Sequence, residues 1–574
     1  MKHIFKTSVL ALAVMGGATL TACDDFLTLE PQDKEVLSSY FTTPEALEAE
    51  TLTIYSARVW SDFFMNYNWK FDMLVGDLYY TYSEEGQWYF GTYTNGNQYI
   101  LQGWKGLYNV ISFCNSIIQD TPGACGGTIT QADITQAVAE ARCVRAYCYY
   151  LLAEAFHDVP IIDNNSKNIA DGNLNTPRNP QKDIYRFARE DAEFAVANLA
   201  PTNKDNFRCT TKTANAVLAK ILVTMAAHND YGYDRADLYS KAAAAAKYVI
   251  DNSTDVTEID FSTLFDIASN NGPESILAIQ CGHYGYGYGN PRPVAWTRDG
   301  GNLLADYFCW GGGKGPCISL QKMYEPNDKR AKWTFMAPGD YYPNINSENG
   351  GYTYTLFSFD ESGTEVQGRI AMNAHLKKYV IGKGSDNAGQ VNGDQDAPNN
   401  FYLIRLSDMY LTYAEAVMGT ATSTSDAQAL SAYNKVRKRA GVPDASSISY
   451  TDLLKERRRE FALEGINWYD ILRLRYREGD QTALDFLNSG YETGYNRVAA
   501  YVPNSWDDFY SMGNEAKNDP SNYKIVETQA EGCDAEPIYF TSSAFIVPLP
   551  GTATTSTPAL LGDIVPFYTD SEGE

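Results

Sequence analysis

Apolar residues recur at helical spacing in two separated parts of the chain. From Trp104 the positions Trp104, Leu107, Tyr108, Ile111, Ile117 and Ile118 share one face of a helix. A second run, at about 135–156, is dense in Ala, Tyr and Leu and stops at His157-Asp158-Val159-Pro160. The same period continues over about 182–199, 212–228 and 234–251, where Ala214, Ala216, Ala219, Ala226 and Ala242 to Ala246 permit close helix approach. Between about 255 and 400 the periodicity is lost. Gly, Asn, Tyr and Pro crowd together in Gly285-Tyr286-Gly287-Tyr288-Gly289, in Gly311-Gly312-Gly313 and from Asn344 to Tyr354, and only short runs such as Ile276-Leu277-Ala278-Ile279 read as strands. Helical spacing returns at about 403–418, 427–440 and 450–476, followed by a loop-rich tail.

Successive helices with short links predict pairs packed side by side, as in a tetratricopeptide array. Only Trp104-x-x-Leu107 resembles the start of that repeat. The expected fold is therefore mainly α, a tetratricopeptide-like helical-pair scaffold with an irregular loop-rich subdomain carrying short strands. Its divisions are 1–22, 23–254, 255–400 and 401–574. A chain that leaves its helical scaffold and re-enters it usually carries binding loops on the insert.

The first 22 residues read as an export signal. Lys2 and Lys6 precede an apolar run of 13 residues, Ser8 to Leu20, which is too short to cross a bilayer and suits a secretory peptide. It closes on Leu20-Thr21-Ala22-Cys23, which resembles a bacterial lipobox with Cys23 as the acylated first residue of the mature chain. Asp24-Asp25 resembles the acidic export tag of surface lipoproteins. Nothing downstream approaches 18 uninterrupted apolar residues, so the protein is expected to be lipid-anchored on a membrane and not to span it.

Charge narrows the partners. Lys and Arg number 46 against 71 Asp and Glu, a net charge of −25 that repels nucleic-acid backbones, so no nucleic-acid partner is expected. Tyr, Phe and Trp number 42, 25 and 9, giving 13% aromatic residues beside 20% charged, and rings in such surplus often line binding surfaces. The ten cysteines leave an odd number once Cys23 is lipidated, and none has Cys-x-x-Cys spacing. Cys143 and Cys148 fit a helical core, and a disulfide between Cys309 and Cys317 stays open.

No catalytic constellation emerges. The five histidines form no pair at metal-ligand spacing, and there is no Gly-x-Ser-x-Gly elbow and no phosphate-binding loop. Ser319-Leu320-Gln321-Lys322 with Ser385-Asp386-Asn387 imitates two β-lactamase motifs, but the third, Lys-Thr-Gly, is missing. Asn392-x-Asp394-x-Asp396 lacks the glycine and distal glutamate of a calcium loop and reads as a solvated turn. No catalytic residue, metal ligand or cofactor is assigned.

Several segments together resemble the RagB/SusD family of outer-membrane nutrient-binding lipoproteins. They are Cys23-Asp24-Asp25-Phe26-Leu27, Tyr108 to Ile118, Ala141 to Phe156 closing on Asp158-Val159-Pro160, and Ile404-Arg405-Leu406-Ser407-Asp408 with Tyr413-Ala414-Glu415-Ala416. Asn434 to Pro443 and Glu456 to Gly465, running into Trp468 to Arg473, complete the set. One departure follows Val547-Pro548-Leu549-Pro550, where Thr-rich sequence replaces the family's acidic residue. The resemblance implies an oligosaccharide-binding lid on a SusC-like TonB-dependent transporter, with no bond broken. It also implies that ligand-binding rings come from the region before the first long helix and from the insert. The charged signatures, Arg405, Asp408, Glu415, Arg437, Glu456, Glu460 and Glu464, are expected to pair between helices and to be structural.

Sugars offer an apolar C–H face to a flat ring and a rim of hydroxyls to amides and charges. Two segments supply both kinds of group. The first runs from Asp77-Leu78-Tyr79-Tyr80-Thr81-Tyr82 to Trp88-Tyr89-Phe90, then Tyr93 and Asn95-Gly96-Asn97. The second holds Tyr284, Tyr286, Tyr288, Trp296, Arg298, Asp299, Tyr307 and Trp310. The candidate ligand-binding residues are Asp77, Trp88, Tyr89, Tyr93, Asn95, Asn97, Tyr286, Trp296, Arg298 and Trp310, while Trp104 and Trp468 are expected in the core. Three alternatives remain beside glycan capture: a peptide- or protein-fragment-binding member of the same fold, a surface glycoside hydrolase using two carboxylates, and a structural repeat scaffold that binds neither.

Overall fold

The computed structural model describes residues 40–298, 304–359, 365–367, 374–390, 395–494, 500–526 and 539–569. The export signal, Cys23, Asp299, and Asn392 and Asp394 of the acidic turn lie outside the described residues.

Five long helices follow one another in the first half: α1 (Gln98–Asn115), α2 (Gln131–Phe156), α3 (Gln181–Asn198), α4 (Thr211–Ala227) and α5 (Arg235–Asp251). Local chemistry sets their starts. Asn97 caps α1 by accepting from the Tyr99 N–H at 3.1 Å, and Thr130 with Asp133 forms a reciprocal capping box on α2. From Ala139 onward α2 is almost wholly buried, which makes it the axis of the scaffold. Each helix packs on the next in chain order, and the alanine stripe of α4 and α5 brings that pair especially close.

The second half continues the stack with α6 (Leu406–Met418), α7 (Ala427–Ala440), α8 (Tyr450–Phe461), α9 (Asn467–Glu478) and α10 (Asp480–Asn488). Helix α6 lies against α5, so residues 252–405 form a true insert between packed neighbours. The neck of that insert is an antiparallel ladder of β2 (Ser275–Ile279) with β4 (Phe401–Arg405), registering Ile279 with Phe401 and Ser275 with Arg405. Within the insert, and in the tail, described strands occur only as two-stranded pairs.

The single helix expected over 450–476 is two. The chain breaks at Leu463 and Gly465, both in the left-handed region. A Cβ on Gly465 would stand 2.4 Å from Asn68 Nδ2, and its N–H donates to Asp72 Oδ1 at 2.9 Å, so a close approach to the N-terminal segment ends α8. Residues 403–405 likewise belong to β4 and not to the following helix. Trp468 is buried as expected, whereas Trp104 is only half-buried, packed edge-on against the core ring of Phe156. The eight described cysteines are all free thiols, so Cys309 and Cys317 are not joined.

Candidate binding site

A ladder of two residue pairs joins the two aromatic segments. Strand β1 (Leu78–Tyr79) runs antiparallel to β3 (Gly315–Pro316), with Leu78 opposite Pro316 and Tyr79 opposite Gly315. The root of β1 is fixed to the scaffold through Asp77. Its buried carboxylate accepts from Arg458 Nε at 2.6 Å and from Asn467 Nδ2 at 2.9 Å, while Arg458 also donates to the Gly76 carbonyl at 2.8 Å. Ahead of β3, the Trp310 N–H donates to the Val294 carbonyl and the Gly311 N–H to the Thr297 carbonyl, both at 3.0 Å. A Cβ on Gly311 would lie 2.5 Å from that Thr297 oxygen, so this turn requires glycine. His375 donates from Nε2 to the Gly311 carbonyl at 2.8 Å, and burial pushes its pKa down to about 3, keeping the ring neutral.

This framework turns rings outward. Tyr82 is 73% exposed and Trp310 41%, and the half-buried Tyr80 lies 6.4 Å from Tyr82 between ring centroids. On its protein side Tyr80 lies beside Gly313, where a Cβ would stand in ordinary van der Waals contact with the ring, at 3.5 Å. The Lys314 ammonium stands 4.5 Å from the Tyr80 centroid and 5.3 Å from Trp69, and it donates to the Ala295 carbonyl at 2.9 Å. Burial lowers the Lys314 pKa to about 8. Lys70 sits 3.2 Å from the Trp69 centroid and pairs with Glu85 at 2.7 Å. Ammonium groups therefore brace the rings from inside by cation–π contact. Beyond Trp310, a tyrosine loop is held by the Gly282 N–H on the Tyr288 carbonyl and the Gly285 N–H on Asp396 Oδ1, each at 2.8 Å. It exposes Tyr284, Tyr286 and Tyr288 and leads directly into the short helix Arg292–Trp296 that carries the Trp310 contact. Of the eleven large aromatic side chains exposed among the described residues, seven lie in these two segments.

Most of the residues singled out from sequence do not belong to that surface. Trp88 is wholly buried, stacked on Tyr93 at 4.5 Å with edges toward Tyr67 and Phe71, and its indole N–H donates to Asn97 Oδ1 at 3.2 Å. Tyr89 is buried against Tyr79. The Tyr93 hydroxyl donates to the Ala544 carbonyl, and the Asn95 carbonyl accepts from Gly551, so residues 93–95 face the C-terminal segment and not the insert. Asn97 is the buried cap of α1, and Asp77 is the ion-paired root of β1. Trp296 is buried edge-on to Tyr379, and Arg298 is buried over Tyr354 with its guanidinium on the Tyr354 hydroxyl. Side chains so enclosed have no free face for a ligand. Of the sequence candidates, the structure leaves Tyr286, Trp310 and, on the other side, Asn95 exposed. It adds Tyr80, Tyr82 and Phe308, for which the signal was proximity to glycine or polar turn residues and not their own type.

The comparisons with known proteins agree with this architecture. Residues 318–562 match a family model described as the SusD family, and residues 27–223 match one described as starch-binding associating with outer membrane. A SusD-like protein of Bacteroides ovatus is 31% identical over 503 residues, which cover 86% of this chain and 87% of the relative. The chain belongs to the SusD family. A protein solved in a crystal with xylogluco-oligosaccharide superposes with a TM-score of 0.74 at 27% identity, covering 92% of this chain and 100% of that one. Surface glycan-binding protein A of Bacteroides thetaiotaomicron, solved with laminarihexaose, shares the fold with a TM-score of 0.62 at 17% identity, over 90% and 98% of the two chains.

The charged signatures of this SusD chain form its interior lattice. Arg405 meets Glu274 at 2.7 Å, Glu464 at 2.8 Å and Glu460 at 3.0 Å, and Arg439 reaches the same Glu460. Arg457 bridges Asp408 and Asp470, each at 2.8 Å, and Arg437 meets Glu456 at 2.9 Å. The guanidinium groups around Glu460 hold its carboxyl far below the ordinary range despite burial, as Lys220 and Arg457 do for Asp408. These ion pairs lie buried inside the scaffold.

Proposed function

We propose that this SusD-family protein is an outer-membrane lipoprotein, anchored through Cys23, that captures oligosaccharide on the outward rings of Tyr80, Tyr82, Trp310 and the Tyr284–Tyr288 loop. It passes the cargo to a SusC-type TonB-dependent transporter and breaks no bond. The observation that carries the reading is the β1–β3 ladder, which sets two ring-bearing segments side by side with their faces to solvent. The sugars present in the solved relatives support the ligand class. Each stacked ring contributes about 0.5–1.5 kcal/mol beyond area burial. Two or three rings with hydrogen bonds give affinity near ~1 μM, about −8 kcal/mol, which lets the cargo be released.

Isothermal titration of the chain lacking residues 1–23 with xylogluco-oligosaccharide and laminarihexaose, alongside a glycan array, tests this. Trp310→Ala or Tyr82→Ala lowers the affinity for the bound glycan about tenfold, some 1.4 kcal/mol, with the melting temperature unchanged. Unchanged affinity in both variants and in the double variant rejects the site. Binding to extended peptides with no glycan binding rejects the ligand class.

A further inference from the structure

One cavity lies away from both ring-bearing segments. It opens between α1 and the C-terminal segment, holds about 270 Å³, and is lined by residues within 101–108, 160–176 and 552–560, with none from the insert. One wall carries flat rings. Trp104 stands edge-on to Phe156 at 5.2 Å and tilted against Tyr108 at 4.9 Å, both between ring centroids, and the Tyr108 hydroxyl donates to the Pro160 carbonyl at 2.7 Å. The opposite wall is the short helix Gly551–Ser556 and the turn after it. It is tied down at both ends, by the Gly551 N–H on the Asn95 carbonyl at 2.8 Å and by the Ala559 N–H on Asn175 Oδ1 at 2.9 Å. The cavity is therefore preformed, and its size is close to the lower bound of about 300 Å³ for small-molecule sites.

Its polar groups are unengaged. The hydroxyls of Thr176, Thr552 and Thr557 and the indole N–H of Trp104 have no hydrogen-bond partner among the described residues. Lys105 is exposed, is the only charged side chain of the lining, and has no carboxylate within ion-pair distance among the described residues. Flat rings opposite free hydroxyls suit a ligand with one apolar face and a hydroxylated rim. An aliphatic chain would cover three hydroxyls without pairing them, which is costly for buried polar groups. A phosphorylated ligand would bring two or more negative charges to a single ammonium, within a chain of net charge −25. A pyranose ring meets each wall with the matching side.

We propose that this cavity is a second carbohydrate site, which takes one sugar residue by stacking on Trp104, with Thr552, Thr557 and Lys105 on its hydroxyl rim. It goes beyond the proposed function and shares no residue with the outward rings. A polysaccharide long enough to reach both sites is held more tightly than an oligosaccharide. The test uses the chain lacking residues 1–23 with Trp310 and Tyr82 both replaced by alanine, so that the outward site is disabled. Ligand-observed NMR with methyl β-glucoside and methyl β-glucuronide reads the binding, expected near ~1 mM for at least one of them. Thr552→Trp fills the cavity from an exposed position, and Trp104→Ala removes the ring; each lowers the affinity at least tenfold. A preference for the glucuronide that Lys105→Gln removes identifies a carboxylated sugar, and equal binding identifies a neutral one; both support the site. No sugar binding at 20-fold the expected dissociation constant, binding that survives Thr552→Trp with its melting temperature unchanged, or binding of 1-hexanol but not of sugar overturns it. Failure here leaves the titrations of Trp310→Ala and Tyr82→Ala unaffected, and their failure leaves this result unaffected.

Discussion

Arg405, in the scaffold, is buried and meets three carboxylates, whereas Trp310, on the insert, shows its ring to solvent. The same contrast runs through both regions. The helices hide charges that look reactive in the sequence and use them to fix their spacing, while the insert exposes rings that carry no reactive group at all. A buried ion-pair lattice adds little net stability over a well-packed apolar core, but each member is costly to remove because its partners are left charged and dry. Exposed rings behave inversely, since their removal leaves no buried partner charged and dry; on the proposed function it subtracts only from ligand binding. Rigidity then comes from ionic groups and, on that proposal, recognition from flat ones.

This contrast predicts a graded set of outcomes. The largest effect is expected from Arg405→Ala, which strands Glu274, Glu460 and Glu464 and costs about 3–5 kcal/mol, read as a steep fall in melting temperature or loss of soluble protein. A variant that folds as well as wild type would falsify the structural role of the lattice. Trp88→Ala comes next. Although it lies in an aromatic segment, it should act as a core deletion of about 3–4 kcal/mol in chemical denaturation. Any residual folded fraction should keep its glycan affinity, and loss of affinity at unchanged stability would return Trp88 to the ligand.

The smallest effect concerns Glu154, a scaffold carboxyl that accepts from the Tyr185 hydroxyl and has no ion pair among the described residues. Burial raises its pKa to about 7. The folded state therefore keeps a proton that the unfolded state releases above about pH 4.5, so stability falls as pH rises through the window from there to about 7. Glu154→Gln is expected to raise stability by about 1–2 kcal/mol at pH 8 and to change it little at pH 5, read as paired melting curves. A gain that is equal at both pH values would show that the carboxyl is already ionised in the folded protein.

The helices could be read from sequence because their apolar period survives burial on one face. The break at Leu463 and Gly465 could not, because its cause is Asn68 and Asp72, nearly 400 positions away in the chain. The burial of Trp88 is hidden from the sequence for a related reason. Its flanks, Glu84 and Glu85, look like a solvated loop, yet Glu84 binds the Gln98 amide and Glu85 binds Lys70, while the indole points the other way. Polar neighbours report where they themselves face, and in a tight helical turn the next residue faces inward. Trp310 was placed outside the core because glycine on one side of a ring leaves nothing to bury it. Asp77 shows the remaining limit: a carboxylate beside tyrosines fits a sugar site, and only the distant Arg458 reveals it as an anchor.

The ladder of Ser275–Ile279 with Phe401–Arg405 has an evolutionary consequence. Because the outgoing and returning strands are zipped together where they meet the helices, loops between them can be lengthened, shortened or exchanged without moving either end. The loops between them can therefore be exchanged as a cassette, while the lattice beneath stays under separate selection.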